Sequence, residues 1–163
     1  HPAFSGETIP ALEAALLRCR QRGLSANLEI KPAPGFEVET GRAVGSFPAA
    51  AHSAGLPPLL LSSFSAQALE AAALEVEALP RAFLATRFDA QALATARRLA
   101  CVSLNLGRCD LQAAHVAAVR DAGLRTLVYT VNSPEEARRL AGWGVSGVFS
   151  DRPELLLTDC SVP

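Results

Sequence analysis

The sequence predicts an α/β fold in which helices cover a parallel sheet, and two observations support this prediction. Short strand-like segments alternate with helix-like segments along the chain and give about six strand–helix units. Glycines that end a helix stand before a strand at Gly23, Gly123 and Gly144. This alternation is typical of both open doubly wound sheets and (β/α)₈ barrels. No G-x-G-x-x-G or P-loop motif follows a strand, so the commonest nucleotide sites are not indicated.

The first half of the chain contains two predicted strands and three predicted helices. Leu12, Leu16 and Cys19 share one face of the first helix, a spacing that favours packing against a sheet. Pro48 should break or kink the second helix, because proline removes a hydrogen bond there. Ser65 is placed to cap the third helix. The predicted strands are 26–31 and 59–64, and the predicted helices are 10–23, 38–54 and 66–79.

The second half of the chain repeats the alternation, and polar residues mark where its helices begin. Asp89 and Asp110 are predicted N-caps of two helices. Ser133, Pro134 and Glu136 form a predicted capping box with proline at the first helical position. The predicted strands are 81–86, 101–106, 125–132 and 145–151, and the predicted helices are 90–100, 111–122, 134–144 and the turn 152–157.

Composition and charge exclude several classes of protein. The 163 residues are half apolar with a net charge of −1, which argues against nucleic acid or an anionic membrane as a partner. No apolar run approaches the ~20 residues that span a bilayer. No signal peptide is visible, and a chain that opens on His1 without any Met is expected to be processed or a fragment. The cysteines, without a C-x-x-C pair, are expected to be reduced and mostly buried: Cys19, Cys101, Cys109 and Cys160.

One predicted strand carries two charged residues on a single face. Leu28 and Ile30 share its apolar face, whereas Asn27, Glu29 and Lys31 share the other, and Lys31 is the only lysine of the chain. We expect the polar face to point inward, at the strand end where α/β folds place their active sites. A carboxylate there suits a hard divalent cation, and a lysine suits phosphate. A structural ion pair between the two side chains is the alternative.

Other strands end in side chains that could line the same pocket, although ordinary packing also accounts for each of them. The candidates are Phe64, Ser103, Asn105, Tyr129 and Asn132. Two histidines within or at the ends of helices, and an Asp–Arg turn after the last strand, are better explained by structural roles. These are His52, His115 and residues 151–153.

Five segments, in order and over nearly the whole chain, resemble the glycerophosphodiester phosphodiesterase family, most closely its cytosolic bacterial type. They are IPALEAAL (9–16), NLEIKP (27–32), LLSSF (60–64), LVYTVNSPEEARRL (127–140) and GVSGVFSDRPELL (144–156). The resemblance implies a TIM-type barrel that is incomplete because its N-terminal strands are missing. It also implies a single domain over 1–163 that corresponds to the C-terminal two-thirds of a family member, in the cytoplasm.

The resemblance further implies metal-dependent hydrolysis of glycerophosphodiesters to sn-glycerol 3-phosphate and an alcohol. Glu29 falls on a family ligand of Mg²⁺ or Ca²⁺, and Lys31 falls on the family lysine that contacts the substrate phosphate. Phe64 and Tyr129 are our further candidates for substrate binding. The family's His-Arg-Gly, Glu-x-Asp and His-Asp motifs are not found here, so we expect no catalytic acid or base histidine in this chain.

Two other functions remain open from the sequence. The chain could be a truncated barrel without activity that serves as a binding or assembly module, or a different phosphate-handling βα-barrel enzyme. Because six strands do not close an eight-stranded barrel, we expect exposed sheet edges. These edges would favour self-association or pairing with the missing N-terminal segment.

Overall fold

The computed structural model describes residues 5–50 and 55–157, which form one parallel sheet flanked by helices. The strands are β1 Ala26–Glu29, β2 Leu59–Ser63, β3 Arg81–Ala85, β4 Ser103–Gly107, β5 Arg125–Tyr129 and β6 Gly147–Val148. The helices are α1 Leu12–Gln21, α2 Glu37–Ala50, α3 Ala66–Glu75, α4 Ala90–Arg98, α5 Ala113–Asp121, α6 Pro134–Gly142 and α7 Pro153–Leu157. None of the helices in these residues is long and apolar enough to cross a bilayer.

The six strands lie in sequence order, and each pairs in parallel with the next one. This arrangement is half of a barrel, with β1 and β6 at its two edges, and it confirms the predicted incomplete TIM-type architecture. The prediction of a single domain over the entire sequence stays a prediction.

The strand register divides the sheet into an inner and an outer face. On one face, Glu29 of β1 is in register with Ser62 of β2, and Ser62 is in register with Ala82 of β3. Leu84, two residues after Ala82, is on the same face and is in register with Asn105 of β4. The outer face is mainly apolar and packs against the helices, as expected for a sheet covered on one side. Its buried side chains include Leu61, Leu104, Leu106 and Val128. The inner face is therefore the face left for a ligand.

Three of the four predicted helix caps are confirmed. The side chains of Ser65, Asp89 and Ser133 accept hydrogen bonds from backbone amides at the starts of α3, α4 and α6. The bond to Asp89 is the shortest of the three, at 2.7 Å from the Ala92 amide. Each cap satisfies a donor that the first helical turn leaves without a partner.

The predicted cap at Asp110 is wrong. Asp110 has φ of 60°, a left-handed conformation, whereas an N-cap residue is usually extended. Its carboxylate lies 3.5 Å from the guanidinium of Arg87. Gln112 instead caps α5 through a capping box, in which His115 Nδ1 accepts a 3.3 Å hydrogen bond from the backbone amide of Gln112.

Several element ends differ from the prediction. Strand β1 ends at Glu29, so Lys31 lies beyond it, although the Ile30 amide still donates to the Ser62 carbonyl. Helix α3 ends at Glu75, four residues before its predicted end at 79. Pro48 does not break α2, which continues to Ala50. The rest of that predicted helix, 51–54 with His52, lies outside the described residues.

The cysteines are partly as expected. Cys19, Cys101 and Cys109 are free, and Cys160 lies outside the described residues. Cys101 is buried, and burial raises the pKa of its thiol to about 11, so the thiol stays protonated at neutral pH. Cys109 is exposed, because it lies in the loop between β4 and α5 rather than in a packed element.

Candidate functional site

A cavity of about 210 Å³ opens on the inner face, around the C-terminal ends of the strands. Its lining comes from five strands or the residues that directly follow them, as in other parallel α/β folds. The lining residues are Asn27, Glu29, Phe64, Leu84, Tyr129, Thr130 and Phe149. The cavity thus brings together three of the four predicted site residues.

Three aromatic rings form one wall of this cavity. The ring of Tyr129 lies edge-on to Phe64, with 6.0 Å between centroids, and to Phe149, with 6.5 Å. The Tyr129 hydroxyl donates a 2.8 Å hydrogen bond to the Ala85 carbonyl, and this bond spans the intervening strand β4. Gly107 lies between them, and a Cβ there would come within 2.3 Å of the Thr86 carbonyl oxygen. The close approach of the strands at this glycine helps to fix the tyrosine.

Lys31 lies in a neighbouring cavity of about 310 Å³, which Glu29 and Phe64 also line. The remaining lining residues are Ile30, Pro32, Pro34, Glu37, Ser63 and Ser65. Glu29 and Phe64 are therefore shared by both cavities. We call these two cavities the inner cavity and the Lys31 cavity.

Glu29 and Lys31 are both exposed to solvent, so the inward polar face expected from the sequence is not a buried one. The reason is their position, because β1 is an edge strand and Lys31 follows its end. Neither side chain forms an ion pair with any of the residues that the structure describes. A structural Glu29–Lys31 ion pair is therefore not the reason for these charges.

Other predicted candidates have structural roles. Ser103 donates to the buried amide oxygen of Asn105 at 3.0 Å, and neither residue lines the inner cavity. Asn132 accepts from Ser150 Oγ at 3.0 Å and from the Asp151 amide at 2.9 Å, which joins the end of β5 to the turn after β6. His115 stacks on Phe88 with 4.6 Å between ring centroids, in addition to capping α5.

Thr130 and Phe149 line the inner cavity but were not among the sequence candidates. Strand alternation on its own gives two possible faces for every strand, so it does not say which residues of separate strands meet. The register of β5 and β6 would have shown that Phe149 belongs on the face of Tyr129, since Leu127 pairs with Gly147. That register is not encoded in a local sequence pattern.

The electrostatic link between Glu29 and Tyr129 gives a direct test of the inner cavity. Burial, and then the Glu29 carboxylate, raise the pKa of Tyr129 from its ordinary value of 10.0, because both disfavour the phenolate. Tyr129 is the only tyrosine, so an ultraviolet titration of the chain observes it alone. We expect a midpoint above 10.0 in the folded chain and close to it in urea.

In the same titration, Glu29→Gln should move the midpoint down towards the ordinary value, because it removes a nearby negative charge. The control Glu39→Gln, on the exposed start of α2, should leave it unchanged. Equal midpoints for all three proteins would show that Glu29 does not face Tyr129.

The residues of the inner cavity supply only part of the ligand set that a divalent cation needs. Glu29 is the one carboxylate that lines the inner cavity, and Asn27 adds an amide oxygen. No group of three metal-ligating side chains occurs in the ranges 5–50 and 55–157. Because Mg²⁺ and Ca²⁺ take about six or more oxygen ligands, these side chains do not amount to a complete site.

Comparison with known families and proteins gives one consistent family. The model of the glycerophosphoryl diester phosphodiesterase family matches residues 1–155. The Bacillus subtilis protein YhdW, whose name is "Putative glycerophosphodiester phosphodiesterase", is 28% identical over 97% of this chain. The chain spans 65% of the length of YhdW.

Solved structures show the same fold. An Oleispira antarctica phosphodiesterase, solved in complex with the product sn-glycerol-3-phosphate, superposes with a TM-score of 0.86 and 29% identity. The match covers 96% of this chain and 63% of that one. A Galdieria sulphuraria structure superposes with a TM-score of 0.79 over 94% of this chain and 65% of its own, at 17% identity, which supports the fold alone.

Proposed function

The chain belongs to the glycerophosphoryl diester phosphodiesterase family, a family of phosphoric diester hydrolases, and on that premise we propose that it binds a glycerophosphodiester in its two adjoining cavities. In the proposed reaction the diester is hydrolysed to sn-glycerol 3-phosphate and an alcohol. Because the chain spans about two-thirds of its relatives, we propose this activity for the longer protein of which these residues would form a part.

One observation carries the proposal: two unpaired charges of opposite sign stand at the junction of two cavities. Glu29 lines both cavities and Lys31 lines the second. A lysine without a carboxylate partner retains its three donors for a phosphate oxygen. The complex of the Oleispira relative with sn-glycerol-3-phosphate supports a ligand of this kind.

We assign the phosphate of the substrate to Lys31 and the glycerol moiety to the inner cavity. Its aromatic walls, Phe64 and Tyr129, offer apolar surface to the carbon chain of glycerol, and Phe149 extends that surface. Asn27 provides an amide that can hydrogen bond to a glycerol hydroxyl. A mainly apolar cleft with aromatic side chains and a few polar groups is a common form of small-molecule site.

Members of the family generally depend on a metal, and we propose Mg²⁺ or Ca²⁺ for this one. Such an ion would polarise phosphoryl oxygens when it is bound. Glu29 would supply one of its ligands, and water molecules would supply others. The described residues do not make a complete site for such an ion.

The second candidate function is a binding or assembly module without catalysis. It is favoured by the incomplete set of metal ligands, and by His115, which is engaged in helix capping and ring stacking. Family membership removes the ground for proposing an unrelated phosphate-handling barrel enzyme. A cytoplasmic location, and pairing of the chain through the edges β1 and β6, stay predictions.

Calorimetry and a turnover assay test the proposed function together. We expect the purified 163-residue chain to bind sn-glycerol 3-phosphate in the presence of Mg²⁺ or Ca²⁺ and to bind glycerol much more weakly. We expect little release of sn-glycerol 3-phosphate from a glycerophosphodiester, because a missing acid or base costs about 10²–10⁴-fold. No detectable binding would refute the proposal, and rapid turnover by this chain would refute our account of the missing histidines.

A further inference from the structure

The two cavities join at the position proposed for the phosphate. Glu29 and Phe64 line both, Asn27 and Tyr129 line the inner cavity, and Lys31 lines its neighbour. A phosphodiester carries two ester arms that leave the phosphorus in different directions. A phosphate held by Lys31 beside Glu29 therefore directs one arm into each cavity.

We propose that the Lys31 cavity receives the alcohol arm of the substrate, and that Glu37 selects alcohols that carry an ammonium group. This inference rests on the proposed function, which places the phosphate at Lys31. The glycerol arm is common to all substrates of this class and is assigned to the smaller cavity, one wall of which consists of three aromatic rings. The cavity of about 310 Å³ is left for the variable arm.

The charges that line the Lys31 cavity favour a cationic alcohol. They are two carboxylates, Glu29 and Glu37, and one ammonium, Lys31. Once Lys31 contacts the phosphate and Glu29 a divalent cation, as proposed above, both of those charges are balanced, and Glu37 is the remaining carboxylate among the lining residues of this cavity. Glu37 is half-buried and forms no ion pair with any described residue. A positive charge on the alcohol would be attracted to it.

The remaining surface of this cavity suits methyl groups as well as charge. Pro32 and Pro34 provide apolar walls beside Phe64, whose side chain is 48% exposed. A quaternary or primary ammonium combines a positive charge with weakly polar carbon atoms, and aromatic rings attract such groups through their faces. We therefore expect choline or ethanolamine esters to bind more tightly than the glycerol ester.

Glu37 also has a local structural role that the test has to separate. It is the first residue of α2, where a negative charge favours the helix, and its Oε1 accepts a 3.2 Å hydrogen bond from the Gly35 amide. Glu37→Gln preserves an oxygen that can accept this hydrogen bond and removes only the charge. Glu39→Gln is the matched control, because Glu39 lies in the same helical turn, is exposed and does not line the cavity.

The experiment compares the affinities of three ligands for the chain at low salt: glycerophosphocholine, glycerophosphoglycerol and sn-glycerol 3-phosphate. We expect the unmodified chain to prefer the choline ester to the glycerol ester about fourfold, the size of a partly exposed charge pair. Glu37→Gln should abolish this preference and should not weaken binding of sn-glycerol 3-phosphate, because it removes a negative charge from a cavity that holds an anion. Glu39→Gln should behave as the unmodified chain, and the preference should shrink at high salt.

The outcomes separate this inference from the proposed function. In the first outcome, all three ligands bind and Lys31→Ala weakens them equally, but the unmodified chain shows no choline preference or Glu37→Gln leaves that preference intact. The selectivity assigned to Glu37 is then wrong, and the proposed function stands. If none of the three ligands binds, or Lys31→Ala has no effect, the proposed function is wrong, and this inference is wrong with it.

Discussion

Lys31→Ala is expected to weaken binding of sn-glycerol 3-phosphate to the chain about tenfold, or ~1.4 kcal/mol. The physical reason is the loss of an ammonium that lines the Lys31 cavity and has no carboxylate partner of its own among the described residues. Because Lys31 is exposed to solvent, we expect a loss of binding free energy at the lower end of the range for hydrogen bonds to charged groups. Calorimetric titration at constant ionic strength measures the change.

Two further variants test whether the loss of affinity is specific to the side chain at position 31. Lys31→Arg retains the charge but replaces a compact ammonium by a planar fork, so we expect an intermediate affinity. Arg120→Ala removes an exposed cation of α5 that lines neither cavity, and it should have no effect. Equal affinity of Lys31→Ala and the unmodified chain would mean that phosphate binds elsewhere.

Gly41→Ala is expected to lower the free energy of unfolding by about 2 kcal/mol, the typical cost of overpacking. Gly41 lies in α2, where a Cβ would come within 2.3 Å of the Ala68 carbonyl oxygen and 2.9 Å of the Ala71 Cβ in α3. Backbone atoms cannot rotate away as a flexible side chain can, so the two helices would have to separate. Urea unfolding, followed by circular dichroism, measures the loss.

Gly142→Ala is the matched control, because Gly142 is also in a helix but an added Cβ would meet nothing within 4 Å. This replacement should be neutral or slightly stabilising, since alanine favours a helix by up to ~1 kcal/mol over glycine. If Gly41→Ala is as stable as the unmodified chain, α2 and α3 are not in close contact at this position. The position also matters for ligand binding, because Glu37 is at the start of α2.

The sequence was sufficient to predict the fold class and about half of the side chains that line the inner cavity. Alternation of strands and helices, with caps at Ser65, Asp89 and Ser133, predicted the elements correctly because these signals are local. Asp110 shows the limit of the same signal. Its side chain is of the right type, but a left-handed backbone and a charged neighbour, Arg87, give it another role.

The rest of the site depends on contacts between distant segments. Phe149 joins Tyr129 through the register of β5 and β6, and Glu37 reaches the Lys31 cavity through the course of the β1–α2 loop. The exposure of Glu29 follows from the edge position of β1, which is a property of the whole sheet. Alternation correctly placed Glu29 on the inner face, but it could not give the degree of burial.

The most direct test of the central claim uses the fact that Lys31 is the only lysine. Reductive methylation with ¹³C-labelled formaldehyde gives this side chain one dimethylammonium signal, which can be followed by NMR and assigned with Lys31→Arg. We predict that sn-glycerol 3-phosphate shifts this signal in a saturable way, with the dissociation constant that calorimetry gives for the same methylated chain, and that glycerol does not. A signal that stays in place while calorimetry shows the ligand binding would contradict the assignment of the phosphate to Lys31.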